Sequence, residues 1–158
     1  MRITVVELAS IGAAAVAVIA LLPHRSRPGA RTALRASWAL TPGVVNPAVT
    51  PATLRATVCR KGWTRTVRPP TSYTNALKLQ QLHARGLRGP PSAYQEDHLI
   101  SLELGGNATD PRNLWPEPYP RAAEVDRVEN ELNARLCSGA ITLDDAQRTE
   151  SALKHRDG

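Results

Sequence analysis

The chain has 158 residues, of which 42% are hydrophobic and 4% aromatic, and its 20 Lys and Arg outnumber its 14 Asp and Glu to give a formal charge of +6. This length suits one domain with a modest core, and the hydrophobic content argues against an intrinsically disordered chain. The positive charge favours polyanionic partners such as nucleic acid or anionic lipid.

Residues 1–22 form a candidate targeting segment. Arg2 precedes an apolar run over residues 8–22, which is short for a membrane span but sufficient for the apolar region of a secretory signal. We expect a cleaved signal peptide or a retained membrane anchor, which would place the protein outside the cell or in the cell envelope. The basic residues after position 22 also leave open an anchor that holds the chain on the cytoplasmic side.

Residues 23–49 have the composition of a Pro/Arg-rich linker. Prolines recur through this range, and no hydrophobic period is sustained. We therefore expect the folded domain to span residues 50–155. At its start, a hydroxyl residue followed by proline predicts a helix over residues 50–59, and the alternating residues 64–68 predict a short strand.

Three further helices are predicted from capping residues and hydrophobic spacing. The first is capped by Thr71 or Ser72. The second covers residues 120–136, where apolar side chains recur on one helical face. The third begins at Leu143, with Thr142 as its cap.

A β-hairpin is predicted between the first two of these helices. Residues 98–104 are β-like, and Gly105 and Gly106 signal a turn. Residues 113–115 form a short returning strand that Pro116 ends. Because helices dominate around one hairpin, the expected fold class is α+β, in a small and mainly helical domain.

Cys59 and Cys137 are the two cysteines of the chain. An even count in a candidate exported protein favours a disulfide between them, and two buried free thiols are the alternative. A zinc site is excluded because neither cysteine has a histidine partner at ligand spacing.

The predicted hairpin carries the residues with recognisable chemistry. In chain order they are Glu96, Asp97, His98, Gly105, Gly106, Asp110, Pro111, Arg112, Asn113, Leu114 and Trp115. In this order and spacing the chain resembles the HNH endonuclease superfamily over residues 46–150, and in particular a group of small bacterial HNH-like proteins. The resemblance implies a ββα-metal hairpin and helix that hydrolyses phosphodiester bonds of DNA, or alternatively RNA, with a divalent metal ion.

The residue types suit that reaction. A neutral imidazole can take a proton from water near neutral pH, so His98 is the candidate general base. Asp97 offers the hard oxygen ligand that Mg²⁺ or Mn²⁺ prefers. The resemblance gives Asn113 the role of bracing the loop and orienting His98. Neighbouring strand residues point to opposite faces, so Asp97 and His98 can share a site only where the strand twists or ends.

The helix after the hairpin departs from the family pattern. A His or Asn ligand is usual there, but no histidine lies between His98 and His155. Asp126 and Glu129 are the predicted metal ligands from this helix, with Asn130 as a third candidate. The missing histidine keeps a second function open, a catalytically degenerate envelope protein, stapled by its disulfide, that binds a polyanion or a protein partner.

The remaining candidates are basic side chains. Arg112 and Arg121 are the predicted contacts to nucleic-acid phosphates. His24, His83 and His155 have no partnered motif and are predicted to be surface or linker residues. The membrane is a further partner if the N-terminal segment is not removed.

Overall fold

The computed structural model of the chain describes residues 34–157. Within this range the protein is an α+β fold in which about half of the residues are helical, built from four α-helices and one two-stranded antiparallel sheet. In chain order the elements are α1 (Trp63–Val67), α2 (Thr71–Ala84), β1 (Tyr94–His98), β2 (Leu114–Pro118), α3 (Arg121–Cys137) and α4 (Leu143–Asp157). No helix of residues 34–157 is both long and apolar enough to cross a membrane, and the candidate targeting segment lies outside this range.

The first strand lies earlier in the chain than the sequence pattern predicts, and the second runs through Pro116 to Pro118 instead of ending at Pro116. Strand β1 ends at His98, which pairs with Leu114 on β2. The apolar segment predicted as a strand over residues 98–104 is instead a connection that ends in a 3-10 helix at Leu102–Leu104. Leu99 and Leu104 are both fully buried, so their hydrophobicity reflects packing on all sides and not the face of a sheet.

The predicted turn after this connection requires glycine. A Cβ atom on Gly106 would lie 1.7 Å from the carbonyl oxygen of Ile100 and 2.7 Å from Nδ2 of Asn113. Any side chain at position 106 would therefore push the loop away from the start of β2.

Two predictions for the first part of the domain are wrong. Residues 50–59 form only a 3-10 helix at Leu54–Ala56, because the hydroxyl of Thr53 bonds the backbone of Thr50 and Ala48 and competes with helix formation. Residues 64–68 lie mostly in helix α1. In a strand Arg65 would share one face with Trp63 and Val67, whereas the helix turns the exposed Arg65 away from the hydrophobic core that these two residues contact. The three helices expected after position 70, over 120–136 and from position 143 are confirmed as α2, α3 and α4. The predicted cap of α2 is wrong, because Thr71 is its first residue and Pro70 stands at the cap without a side-chain bond.

The C-terminal part of the predicted linker packs against the domain. Ala36, Thr41 and Val49 are buried. The amide of Gly43 donates to the carbonyl of Arg112 at 3.1 Å, and other backbone bonds tie residues 34–49 to the loop between the strands and to α4. The domain boundary expected near residue 50 therefore falls inside the folded unit, because this segment packs as an extended chain without a hydrophobic period.

The main core lies between α1, α3, α4 and the loop that joins the two strands. Its buried members are Val49, Val58, Trp63, Ile100, Leu104, Leu132, Leu136, Leu143 and Ala146. A second, smaller cluster of Ala36, Leu99 and Trp115 lies under the hairpin. Together the two clusters fix the end of β1 against α3 and α4.

A disulfide joins Cys59 to Cys137, with Cα atoms 5.5 Å apart across a sequence separation of 78 residues. It links the loop before α1 to the C-terminal end of α3 and so closes most of the domain into one covalent loop. A bond that closes a loop of this size stabilises the folded state by ~4 kcal/mol in the chain-entropy model.

We expect the double variant Cys59→Ser/Cys137→Ser to lose about that much free energy of unfolding, measured by urea denaturation. The reductant dithiothreitol should destabilise the parent by a similar amount and leave the double variant unchanged. Mass spectrometry of unreduced peptides would contradict the bridge if both thiols were free in protein recovered from the cell envelope.

Candidate active site

Asp97 and His98 both line one cavity of about 310 Å³, together with Asp126 and Glu129 of helix α3. The two neighbours reach the same cavity because β1 ends at His98, where the alternation of strand side chains stops. The first strand and the following helix thus bring four of the predicted site residues to one place.

The imidazole of His98 is held in one tautomer. Its Nε2 atom lies 3.0 Å from the carbonyl oxygen of Ala108, so this nitrogen must carry the proton and donate it. Within residues 34–157 the Nδ1 atom has no hydrogen-bond partner and is left as a proton acceptor. Burial lowers the pKa of His98, which keeps the ring neutral at physiological pH.

Asn113 braces the loop between the strands. Its side chain is fully buried. Its Oδ1 accepts from the amide of Ile100 at 3.0 Å, and its Nδ2 donates to the carbonyls of Ile100 at 3.0 Å and Asn107 at 2.9 Å. Asn113 therefore does not bond His98 itself. It acts on His98 through the loop that carries Ala108, the acceptor of the imidazole proton.

Lys154 of α4 is the site residue that sequence reasoning missed. It is fully buried, and its Nζ atom donates to Asp97 Oδ2 and Glu129 Oε1, both at 2.7 Å, and to the carbonyl of His98 at 2.5 Å. Glu150, one turn earlier on α4, lies 3.2 Å from the same nitrogen. The ammonium thus joins the end of β1 to α3 and α4 behind the cavity.

A signal for this lysine exists in the sequence. Leu143, Ala146, Glu150 and Lys154 follow one another at helical spacing. The first two positions are apolar, so this face of α4 is predicted to be buried, and the two charged residues on it must then be paired. Its partner Asp97, which lies 57 residues earlier in the chain, is not indicated by any such local signal.

The acids near Lys154 differ in their pKa values and therefore in their charge at neutral pH. Burial alone would raise the pKa of Asp97, but the neighbouring ammonium and its hydrogen bonds hold it at about 2. Burial raises the pKa of Glu129 to about 9. Burial and the nearby Asp97 carboxylate raise the pKa of Glu117 on β2 to about 9. At neutral pH, Asp97 is therefore ionised beside Lys154, while Glu117 and Glu129 keep their protons.

These shifts predict how stability depends on pH. A carboxyl whose pKa is higher in the folded state stabilises the fold below its unfolded pKa and loses this contribution as the pH rises toward its folded value. We expect the melting temperature to fall between about pH 5 and about pH 9. Glu117→Gln should flatten this fall, because the amide resembles the protonated acid, and should melt higher than the parent near pH 9. Equal slopes for both proteins would contradict the buried proton on Glu117.

Some oxygens of the predicted metal ligands are already bonded to Lys154, and others remain accessible in the cavity. One oxygen each of Asp97 and Glu129 is already bonded to Lys154, and Glu129 is nearly enclosed. Among residues 34–157, no group of three or more His, Cys, Asp or Glu side chains is placed to hold a metal ion. Mg²⁺ keeps several waters and requires only one or two carboxylates. Asp97, through Oδ1, which accepts a long bond of 3.4 Å from Gln95, and Asp126 can supply these in the cavity.

The predicted phosphate contacts lie elsewhere. Arg112 is bonded to Asp110 at 2.7 Å, and Arg121 is bonded to Glu124 at 3.0 Å. Neither of them lines the cavity. The arginine that does is Arg68, which follows the last residue of α1 and is exposed. No sequence motif marks Arg68.

The prediction that His155 is a surface or linker residue is wrong. It is buried and stacks on the ring of Trp38 with ring centroids 3.5 Å apart. Its ring nitrogens lie 2.7 Å from the carbonyl of Ser151 and 3.0 Å from that of Thr41. His155 therefore ties residues 34–49 to α4. His83 is exposed, as predicted, and His24 lies outside the described residues.

Comparisons with protein-family models, with curated proteins and with solved structures give no match to this chain. Function is therefore inferred from the chemistry of the site itself.

Proposed function

We propose that the protein is an HNH-type endonuclease that hydrolyses phosphodiester bonds of DNA, with RNA as the alternative substrate and Mg²⁺ or Mn²⁺ as cofactor. The observation that carries this proposal is the state of His98. Its Nε2 proton is committed to Ala108, and its Nδ1 lone pair belongs to a neutral ring that lines the cavity. This is what a general base for water requires. The chain order of β1, β2 and α3 with these residues supports the HNH-like fold.

Each side chain of the site has a role in this reaction. A water molecule attacks the phosphorus, and its proton passes to Nδ1 of His98 as the bond to the leaving oxygen breaks. Arg68 offers a cation at the cavity for the charge on the phosphate. Asp97 and Asp126 would hold the divalent ion, which offsets charge on the phosphate and the leaving oxygen. Asn113 keeps the loop that positions His98.

We propose that the enzyme acts outside the cytoplasm. Disulfides form and persist in oxidising compartments such as the periplasm and the extracellular space. The bond between Cys59 and Cys137 is consistent with this location, as is the candidate signal at residues 1–22. Identification of the N-terminal peptide in protein recovered from the cell envelope shows whether this segment is cleaved or retained as an anchor.

Plasmid nicking by the full chain tests the proposal. We expect nicking that requires Mg²⁺ or Mn²⁺ and that stops with chelator. Calorimetric titration of the same ions gives a readout that does not depend on activity. Binding of neither ion, together with absence of nicking, would overturn the endonuclease assignment.

The helix acids give a sharper prediction. We expect Asp126→Ala to raise the metal concentration required for nicking while changing stability by less than about 0.5 kcal/mol, because Asp126 carries no packing. Glu129→Ala should also lower stability, because it removes a partner of Lys154. Asn130→Ala, the third candidate, should have the smallest effect, because its amide already bonds the carbonyl of Asp126. Unchanged metal dependence in all three variants would mean that α3 contributes no ligand.

A second candidate function is a non-catalytic envelope protein that binds a polyanion or a protein partner. The observation that favours it is the ammonium of Lys154, which occupies one oxygen of Asp97 and one of Glu129. Retained DNA binding without cleavage in any divalent ion would support this function over the nuclease.

A further inference from the structure

Charge is strongly segregated along this chain. No Asp or Glu occurs between residues 8 and 95, although many Lys and Arg do. Such asymmetry between the two parts of a chain is typical of proteins that bind polyanions. Within the described part of this range, four exposed cations follow one another closely, and we call them the basic ridge. They are Arg60, Lys61, Arg65 and Arg68.

The basic ridge is a cluster of exposed cations without ion-pair partners in the described part of the chain. None of its four members forms an ion pair with any residue between 34 and 157. By contrast, Arg112, Arg148 and Arg156 are each bonded to an aspartate. The charge of these three is offset within the protein, whereas the charge of the ridge is available to a ligand.

The first half of the ridge is organised by a tight turn. Gly62 has a φ of 82°, a conformation that favours glycine, and it reverses the chain between Lys61 and helix α1. The guanidinium of Arg65 folds back over this turn, with Nη2 3.0 Å from the position that a Cβ on Gly62 would take. The turn thus gathers the cations of the loop and of the helix on one surface.

The ridge leads to the candidate active site. Arg60 and Lys61 line a depression of about 280 Å³ beside the disulfide, and Glu103 forms part of its wall. Glu103 also lines the 310 Å³ cavity that contains Arg68 and His98. The two depressions therefore adjoin at Glu103, and a path runs from Lys61 to His98. Arg68 is the cation at the cavity end, where Asp97, Asp126 and Glu129 also line the wall.

We infer that the basic ridge binds the phosphate backbone of a nucleic-acid strand and leads it into the cavity at His98 without reading its bases. The inference rests on the proposed function only in taking the bound strand to be the substrate of the site at His98. A path that runs into a cavity suits a polymer and not a flat membrane. The ridge also carries no exposed aromatic side chain, since Trp63 is buried, so neither base stacking nor insertion into lipid is available.

The test measures binding separately from cleavage. The full chain with His98→Ala is titrated with short duplex DNA of two unrelated sequences, without divalent ions, over a series of salt concentrations. Each of Arg60→Gln, Lys61→Gln, Arg65→Gln and Arg68→Gln in this background should reduce the slope of log affinity against log salt by about 1, equally for both sequences. Arg148→Gln and Arg156→Gln are the matched controls, because these exposed arginines are already paired, and they should leave the slope unchanged.

The outcomes distinguish failure of the basic ridge from failure of the proposed nuclease. Slopes that match the parent in the ridge variants, or that fall equally in the controls, overturn the inference. Ridge-dependent binding to phosphatidylglycerol vesicles without binding to DNA overturns it in favour of a membrane surface. If the chain with intact His98 never cleaves DNA or RNA while the ridge variants still lose their slope, the proposed nuclease fails and the ridge stands. If cleavage occurs and the slope does not change, the ridge alone fails.

Discussion

We expect the variant His98→Ala to lose cleavage by on the order of 10²–10⁴-fold while it keeps the fold. The substitution removes the Nδ1 acceptor that takes the proton of water in the proposed reaction, and it also removes a bond to the carbonyl of Ala108. The second loss is local, because Asn113 holds the loop by separate bonds. Initial rates of plasmid nicking, measured with melting temperature, decide the outcome, and His83→Ala is the matched control on an exposed histidine.

Two further measurements separate a base from a merely structural histidine. Imidazole added to His98→Ala should restore part of the rate, because the side chain lines a cavity of about 310 Å³ that opens further on truncation. In the parent, the lowered pKa of His98 should extend the rate plateau below pH ~6.5, the ordinary histidine value. A variant that cleaves at the rate of the parent would remove His98 from the mechanism.

The parts of the structure that sequence could predict are those set by local interactions. Helix α4 begins where Thr142 accepts from the amide of Asp145 at 3.1 Å, and such a cap is visible in the residues themselves. Helix α3 follows from its apolar spacing. The positions of Asp97 and His98 beside the acids of α3 follow from the order of hairpin and helix.

The parts that could not be predicted depend on distant neighbours. Residues 99–104 resemble a strand because burial on all sides also produces an apolar run. Helix α1 contains two Thr and a Val, which favour a strand locally, but only a helix turns Arg65 away from the core that Trp63 and Val67 contact. Lys154 meets Asp97 across 57 residues, and no local pattern specifies that pair.

Replacing Lys154 with methionine should be the most destabilising single change at the site. Removing one member of a buried ion pair typically costs about 3–5 kcal/mol, because the partner is left as an uncompensated buried charge. Here the ionised partner is Asp97, and Glu150 and the protonated Glu129 also contact the ammonium. Glu150 is fully buried and also accepts from the amide of Ser101 at 2.9 Å, so it cannot turn toward solvent.

The loss of stability in Lys154→Met should depend on pH, and the charges near position 154 determine whether it grows or shrinks as the pH falls. Without the ammonium, burial raises the pKa of Asp97, so this group now stabilises the fold only when protonated. The difference in free energy of unfolding between Lys154→Met and the parent should therefore shrink as the pH falls from about 8 to about 5, measured by urea denaturation at both values. The triple variant Lys154→Met/Asp97→Asn/Glu150→Gln is the control, because it removes the uncompensated charges, and it should recover much of the lost stability. An equal loss at both pH values, or no recovery in the triple variant, would show that Lys154 contributes by packing. In the charge interpretation, the ammonium is what keeps Asp97 ionised inside the protein, and an ionised Asp97 is the state that a divalent ion requires.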